Sequence, residues 1–203
     1  MALVVFTGGA RSGKSGAAQR LAERRAAAGA RVVVAVFGRG DGDPEFAQRI
    51  AHHREQRPGE FATLEPGSSL GWLDDVPADS LLVVDCLGTL LGRALEEEWA
   101  RIEPTVLADA PTSGLPCGYE QAVVSCGDEI VAAILSRASD TIVVTNEVGD
   151  GVVPSHASGR LFRDLLGRCN RRLIDVADAA YLVVAGRLVP LDALTRDAAW
   201  PEG

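Results

Sequence analysis

Gly8-Gly9-Ala10-Arg11-Ser12-Gly13-Lys14-Ser15 fits the pattern G-x-x-x-x-G-K-[ST], and its surroundings give the pattern physical meaning. Before it runs Leu3-Val4-Val5-Phe6-Thr7, a short apolar and β-rich stretch. After it runs Gly16 to Arg25, which is helix-forming and carries Ala17, Ala18, Leu21 and Ala22. In a strand–loop–helix unit of this kind the backbone N–H groups of the loop and of the helix N-terminus converge on anionic oxygens. Lys14 is expected to reach the β- and γ-phosphates, and the Ser15 hydroxyl to ligate Mg²⁺. A chance match in a turn would need neither the strand before nor the helix after. The segment predicts a site for a nucleoside triphosphate.

The remaining composition narrows the kind of protein around that loop. At 203 residues the default is one domain, read here as a single nucleotide-binding and transferase domain over residues 1–203. Hydrophobic residues make up 47% and charged residues 24%, enough to bury a sizeable core. A net charge of −8 argues against a general nucleic-acid binder, which carries a basic face. The first apolar run leads straight into the phosphate loop, so it reads as a strand and not as a signal peptide. No stretch reaches the ~18 consecutive apolar residues of a membrane span. Cys86, Cys117, Cys126 and Cys169 show no C-x-x-C spacing and no histidine placed to complete a zinc site. They read as reduced thiols, and the chain as a cytoplasmic protein.

Further apolar runs follow at residues 31–36, 81–85, 141–145, 180–184 and 187–190, most of them separated by helix-forming sequence. Near-continuous apolar strands indicate a sheet buried on both faces. Their alternation with helices makes the fold α/β, doubly wound and mostly parallel, of the P-loop NTPase kind. The last two runs are split only by Ala185-Gly186, which suits a tight hairpin and an antiparallel edge. Two segments break the rhythm. Residues 37–67 hold a polar loop and a helical segment starting at Pro44, while residues 102–119 are rich in Pro, Gly and Thr and read as a long loop or insertion.

Several residues outside the loop can carry chemistry. Asp85 ends an apolar run, and a carboxylate beyond the carboxyl end of a parallel strand can hold Mg²⁺ or its water shell. Asp at this point equally suits the N-cap of the next helix. The segment Arg49 to Pro58 contains His52 and His53 among three arginines. A neutral imidazole is a competent nucleophile near pH 7, its unperturbed pKa being ~6.5. Standing alone, the segment would read as a solvated basic helix face. Thr145 to Pro154 follows another strand, where Asn146 and Glu147 offer polar contacts and Gly149 and Gly151 allow a turn. Gly159 to Arg172 reads as an arginine-rich amphipathic helix with Leu161, Leu165 and Leu166 as its buried stripe, and His156 lies in a solvated loop.

Taken together, T-G-G-A-R-S-G-K-S (Thr7–Ser15), R-I-x-x-H-R-x-x-R-P (Arg49–Pro58), T-N-E-V-G-x-G-V-V-P (Thr145–Pro154) and F-R-D-x-x-G-x-x-N (Phe162–Asn170) resemble the bifunctional adenosylcobinamide kinase/adenosylcobinamide-phosphate guanylyltransferase family of cobalamin biosynthesis. That resemblance implies a P-loop fold and a homo-oligomer, a trimer in the family. It implies phosphorylation of the aminopropanol hydroxyl of adenosylcobinamide, then transfer of GMP from GTP to that phosphate through a guanylylated histidine. The substrates are thus a small-molecule corrinoid with GTP and/or ATP, and the metal is Mg²⁺ on Ser15 and Asp85. The H-[RK]-x-x-R-P pattern puts the nucleophile at His53, with Lys14 and Asp85 as its catalytic partners. It puts nucleotide contacts at the phosphate loop, Ala35, Val36, Phe37, Arg54, Glu55, Gln56, Arg57, Glu65 and Asp85. The chain reads Ala35-Val36-Phe37 where the family has an A-T segment, and Asp85 where Glu is common.

Two other readings remain at this level. One is a P-loop small-molecule kinase without guanylyl transfer. The other is a GTP-binding regulatory module, which is disfavoured because no N-K-x-D tetrapeptide occurs.

Overall fold

The computed structural model describes residues 1–38, 48, 57–67, 69–106 and 115–195. Among the described residues, seven strands build one sheet: β1 (Leu3–Thr7), β2 (Val32–Val36), β3 (Ala62–Leu64), β4 (Leu81–Asp85), β5 (Thr141–Val144), β6 (Ala179–Val184) and β7 (Arg187–Pro190). Their spatial order is β3-β2-β4-β5-β1-β6-β7. Every pairing is parallel except β6 with β7. Among the described residues, four helices flank the sheet: α1 (Lys14–Ala27), α2 (Leu87–Val106), α3 (Tyr119–Leu135) and α4 (Ala157–Val176), with a short 3-10 turn at Leu70–Asp75.

Alternation along each strand divides the core in two. Phe6, Val32, Val34, Leu81, Val83, Ile142 and Val144 pack with Ala17, Ala18 and Ala22 of α1 on one face. Val5, Val33, Ala35, Leu82, Val84 and Val143 point the other way, against Leu90 and Leu91 of α2, Ile130 and Val131 of α3, and Leu165 and Leu166 of α4. Both faces being covered is why the strands read as unbroken apolar runs. The α1 face is lined with alanines, whose short side chains let that helix lie close on the sheet and hold its N-terminus, the end of the phosphate loop, against β1. The 161/165/166 stripe expected of the arginine-rich helix is the buried stripe of α4.

The β6–β7 hairpin turns at Ala185 (φ 47°) and Gly186 (φ 75°), two consecutive left-handed residues. This is the two-residue turn whose twist matches the flanking strands. Two expectations need correction. Residues 102–106, assigned to a loop, are the last turns of α2, and the chain stays helical through Pro104. The 37–67 region contributes an edge strand, β3, beside β2. The helix expected from Pro44 lies outside the described residues, apart from a helical, exposed Gln48.

Because Leu166 is fully buried between α4 and the sheet, Leu166→Ala should lower unfolding free energy by about 2–5 kcal/mol. Leu194→Ala, at an exposed site, should stay within about 0.5 kcal/mol of wild type. Urea titrations of the two variants side by side check the contrast.

Candidate nucleotide site

All the parallel strands end on one rim, and the phosphate loop leaves β1 there. Gly8 adopts φ 145° and Gly13 φ 100°, backbone angles that a side chain tolerates poorly. A Cβ on Gly8 would lie 2.5 Å from the Val183 carbonyl oxygen of β6, so the loop can pass this strand only as glycine. Arg11, exposed at φ 57°, occupies the left-handed region without being glycine. The loop's carbonyls are taken by donors of its own and of neighbouring segments. Glu147 N–H donates to Gly8 O (3.0 Å), Gly186 N–H to Ser12 O (2.8 Å), and Lys14 Nζ to Gly9 O (2.6 Å). Lys14 is buried at the start of α1, its ammonium folded back over the loop. Thr7 Oγ1 and Ser12 Oγ are buried at the foot of the loop with no hydrogen-bond partner among the described residues. Such hydroxyls suit a bound water or a ligand oxygen.

The Ser15 hydroxyl donates to Asp85 Oδ1 at 3.1 Å, joining the loop to the end of β4 across the intervening β5. A hydroxyl and a carboxylate side by side form a hard oxygen pair suited to Mg²⁺, which takes one or two protein oxygens and fills its remaining positions with phosphates and water. No group of three or more His, Cys, Asp or Glu that could hold a metal occurs among the described residues. The capping position of α2 falls to Cys86. Its N–H is accepted by Thr89 Oγ1 (3.3 Å), and its carbonyl accepts from both Thr89 Oγ1 and Leu90 N–H. The Asp85–Cys86 peptide is cis. Burial, reinforced by the Asp85 charge, pushes the Cys86 thiol up despite its Thr89 hydrogen bond, which keeps it protonated at neutral pH.

Ser15, Gln19, Arg57, Phe61 and Asp85 line one cleft beside α1. Arg57 also donates to Thr63 Oγ1 of β3 at 3.0 Å. The last arginine of the 49–58 segment is therefore brought to the Ser15–Asp85 pair. His52, His53, Arg54, Glu55 and Gln56 lie outside the described residues. Glu65 is exposed just beyond β3. Ala35 and Phe37 are core residues, Phe37 packing edge-on against Trp72, and Val36 is half-buried at the strand end.

In the sequence the 145–154 segment reads either as turn chemistry or as ligand contact. Structurally it is the bracket of the site. Thr145 Oγ1 donates to Asn170 Oδ1 (2.6 Å) in the core, and Asn170 Nδ2 donates to Asn146 O (2.9 Å). Arg163 donates to Gly149 O, and Arg160 to Pro154 O (3.0 Å) and Ser155 O (2.7 Å). Asn146 Nδ2 approaches Cys86 Sγ at 3.8 Å. A Cβ on Gly88 would come within 2.9 Å of that same amide, so a side chain there would push the Asn146 amide aside. These contacts explain the spacing of Arg160, Arg163 and Asn170: they fall on one side of α4, facing the bracket. His156 is exposed at the N-cap of α4, in line with the solvated role expected of it.

A phosphate loop between strand and helix, with a hydroxyl–carboxylate pair beside it on a parallel sheet, defines a P-loop nucleotide-binding protein. The sequence model of a family described as "CobU: Cobinamide kinase / cobinamide phosphate guanyltransferase" matches residues 4–191. The chain belongs to this family. It is 33% identical over 186 residues to the bifunctional adenosylcobalamin biosynthesis protein CobU of Salmonella typhimurium, covering 91% of this chain and 96% of that protein. To the bifunctional adenosylcobalamin biosynthesis protein CobP of Pseudomonas aeruginosa it is 34% identical over 189 residues, covering 92% and 95%. Among solved structures, a KaiC-like protein from Pyrococcus horikoshii aligns with a TM-score of 0.47 at 14% identity, over 89% of this chain and 70% of that one. No helix among the described residues is long and apolar enough to cross a membrane.

Two substitutions test the site's construction. Gly8→Ala should abolish measurable GTP binding by calorimetry, because its methyl would collide with Val183 O. Asn170→Ala orphans the Thr145 hydroxyl and the Asn146 carbonyl and should cost about 1–3 kcal/mol in chemical denaturation.

Proposed function

We propose that this chain phosphorylates the hydroxyl of adenosylcobinamide and then transfers GMP from GTP to the resulting phosphate, with His53 carrying the guanylyl group between the two. Within a family described by these two activities, the observation that supports the reading is the shared cleft. Arg57, four residues beyond His53 in the sequence, lines the same cleft as Ser15 and Asp85.

Nucleotide phosphates enter the loop and Lys14 Nζ exchanges the Gly9 carbonyl for their oxygens, placing a positive charge where charge builds in the transition state. Ser15 and Asp85 hold Mg²⁺, which when bound neutralises the charge on the phosphate oxygens. In the kinase step the acceptor hydroxyl attacks the γ-phosphorus, and the nucleoside diphosphate leaves. In the transferase step a ring nitrogen of His53 attacks the α-phosphorus of GTP, and the bond to the β-phosphate oxygen breaks. Pyrophosphate leaves while the phosphate loop still holds it. A phosphate oxygen of the corrinoid then attacks the same phosphorus, the P–N bond breaks, and the histidine is regenerated. Splitting the displacement in two lets one nucleotide site serve both reactions. Arg54, Glu55, Gln56, Arg57 and Glu65, with Ala35, Val36 and Phe37 at the end of β2, contact the GTP used in the second step. The chain works as a single domain over residues 1–203, as a homotrimer, in the cytoplasm.

GTP labelled at the α-phosphate, incubated with Mg²⁺ and the protein and then run on a denaturing gel, should leave label on wild type and on His52→Ala but none on His53→Ala. Label lost only with His52→Ala would move the nucleophile by one residue. No label on a wild-type protein that binds GTP would remove guanylyl transfer and leave a kinase.

A further inference from the structure

We infer that Glu147 is the general base of the kinase step, taking the proton from the acceptor hydroxyl as that oxygen attacks the γ-phosphorus. The inference rests on the kinase half of the proposed function and not on the guanylyl half.

Topology supplies the first argument. β5 lies between β1 and β4, so the chain leaving β5 emerges between the phosphate loop and Asp85. Glu147 is the third residue of that exit. Its N–H donates to Gly8 O at 3.0 Å, which seats it on the first residue of the phosphate loop. One residue thus joins the loop to the bracket.

The second argument is the way the carboxylate is held. Glu147 is half-buried, and its Oε1 accepts the Gly149 N–H at 3.1 Å, which aims the group and leaves Oε2 for another partner. The flanking backbone is pinned from α4 by Asn170 to Asn146 O and by Arg163 to Gly149 O. A base must be positioned to within a fraction of an ångström, and doubly supported backbone provides that. Asp150, three residues on, is exposed and has no such support among the described residues.

Third, the two carboxylates at this rim divide the work. Asp85 accepts from the Ser15 hydroxyl, on the side where the cation belongs, which commits it to the metal position. Glu147 is held only by a neutral amide among the hydrogen bonds described. The step balances: the hydroxyl oxygen bonds to the γ-phosphorus, the bond from the γ-phosphorus to the bridging oxygen breaks, and its electron pair leaves with the diphosphate. The hydroxyl proton passes to Glu147 and from there to solvent.

Glu147→Gln separates this role from a structural one, because the glutamine carbonyl still accepts from Gly149 N–H while the basic oxygen is gone. With cobinamide and ATP or GTP, kcat for phosphorylation should fall by about 100-fold or more. KM for the nucleotide should stay near its wild-type value, as should the melting temperature. The variant should still become labelled by GTP carrying label at the α-phosphate, since histidine attack involves no hydroxyl acceptor. Phosphorylation by Glu147→Gln at the wild-type rate would overturn the inference. So would a joint loss of phosphorylation and labelling, which would assign the residue to nucleotide binding. Absence of label on wild type, with phosphorylation still lost in the variant, would refute the guanylyl reading and leave this one standing.

Discussion

Everything functional in this molecule depends on how the phosphate loop is kept open. An eight-residue loop with several glycines has much conformational freedom to lose, and its own contacts fix only part of its shape. Neighbouring segments claim two of its carbonyls, Gly8 O by the exit of β5 and Ser12 O by the turn of the β6–β7 hairpin, while Gly9 O is held by the loop's own Lys14 ammonium. With carbonyls turned to these partners, the loop is pre-shaped for an anion before one arrives, and binding has less ordering to offset. The antiparallel hairpin at the sheet edge therefore has a role beyond capping the edge, since its Gly186 is one wall of the loop.

A second layer of support explains why helix α4 carries so many polar groups at regular spacing. Its apolar stripe packs into the core, while Arg160, Arg163 and Asn170 reach the carbonyls of the 145–155 segment. Arginines there act as backbone clamps, and the charge they carry is a by-product of their reach and number of donors. The buried Thr145–Asn170 pair is costly to leave unsatisfied, so it ties the angle of α4 to the end of β5. Through Asn146 and Gly88 the same segment meets the start of α2, so the ends of β4 and β5 are set together.

How much of this was legible in the chain follows from the range of each interaction. Long apolar runs and the Ala-Gly turn gave the parallel sheet and its antiparallel edge, because burial on two faces and a left-handed turn are both local demands. β3 was missed because three residues on an edge, two of them exposed, leave no apolar run to notice. The end of α2 was misassigned because Pro, Gly and Thr content is a local cue, whereas this helix is anchored further back by Leu87, Leu90, Leu91 and Ala94 in the core. The place of the loop between β1 and α1, and of Asp85 at the end of β4, follows from pattern and position in the sequence. Glu147 was noticed only as a polar contact, since its place beside Gly8 depends on a sheet order that sequence does not print.

By itself, the sequence determined a P-loop α/β protein, the glycines its loop requires, and a family shared with cobinamide kinases and cobinamide phosphate guanyltransferases. Those properties depend on residues close together in the chain. Tertiary structure alone decided that Ser15 meets Asp85 and that Arg57 shares their cleft. It likewise decided that the 145–154 bracket rests on the phosphate loop. The reason is topological: a parallel sheet gathers the ends of distant strands on one rim, and only the strand order decides which ends become neighbours.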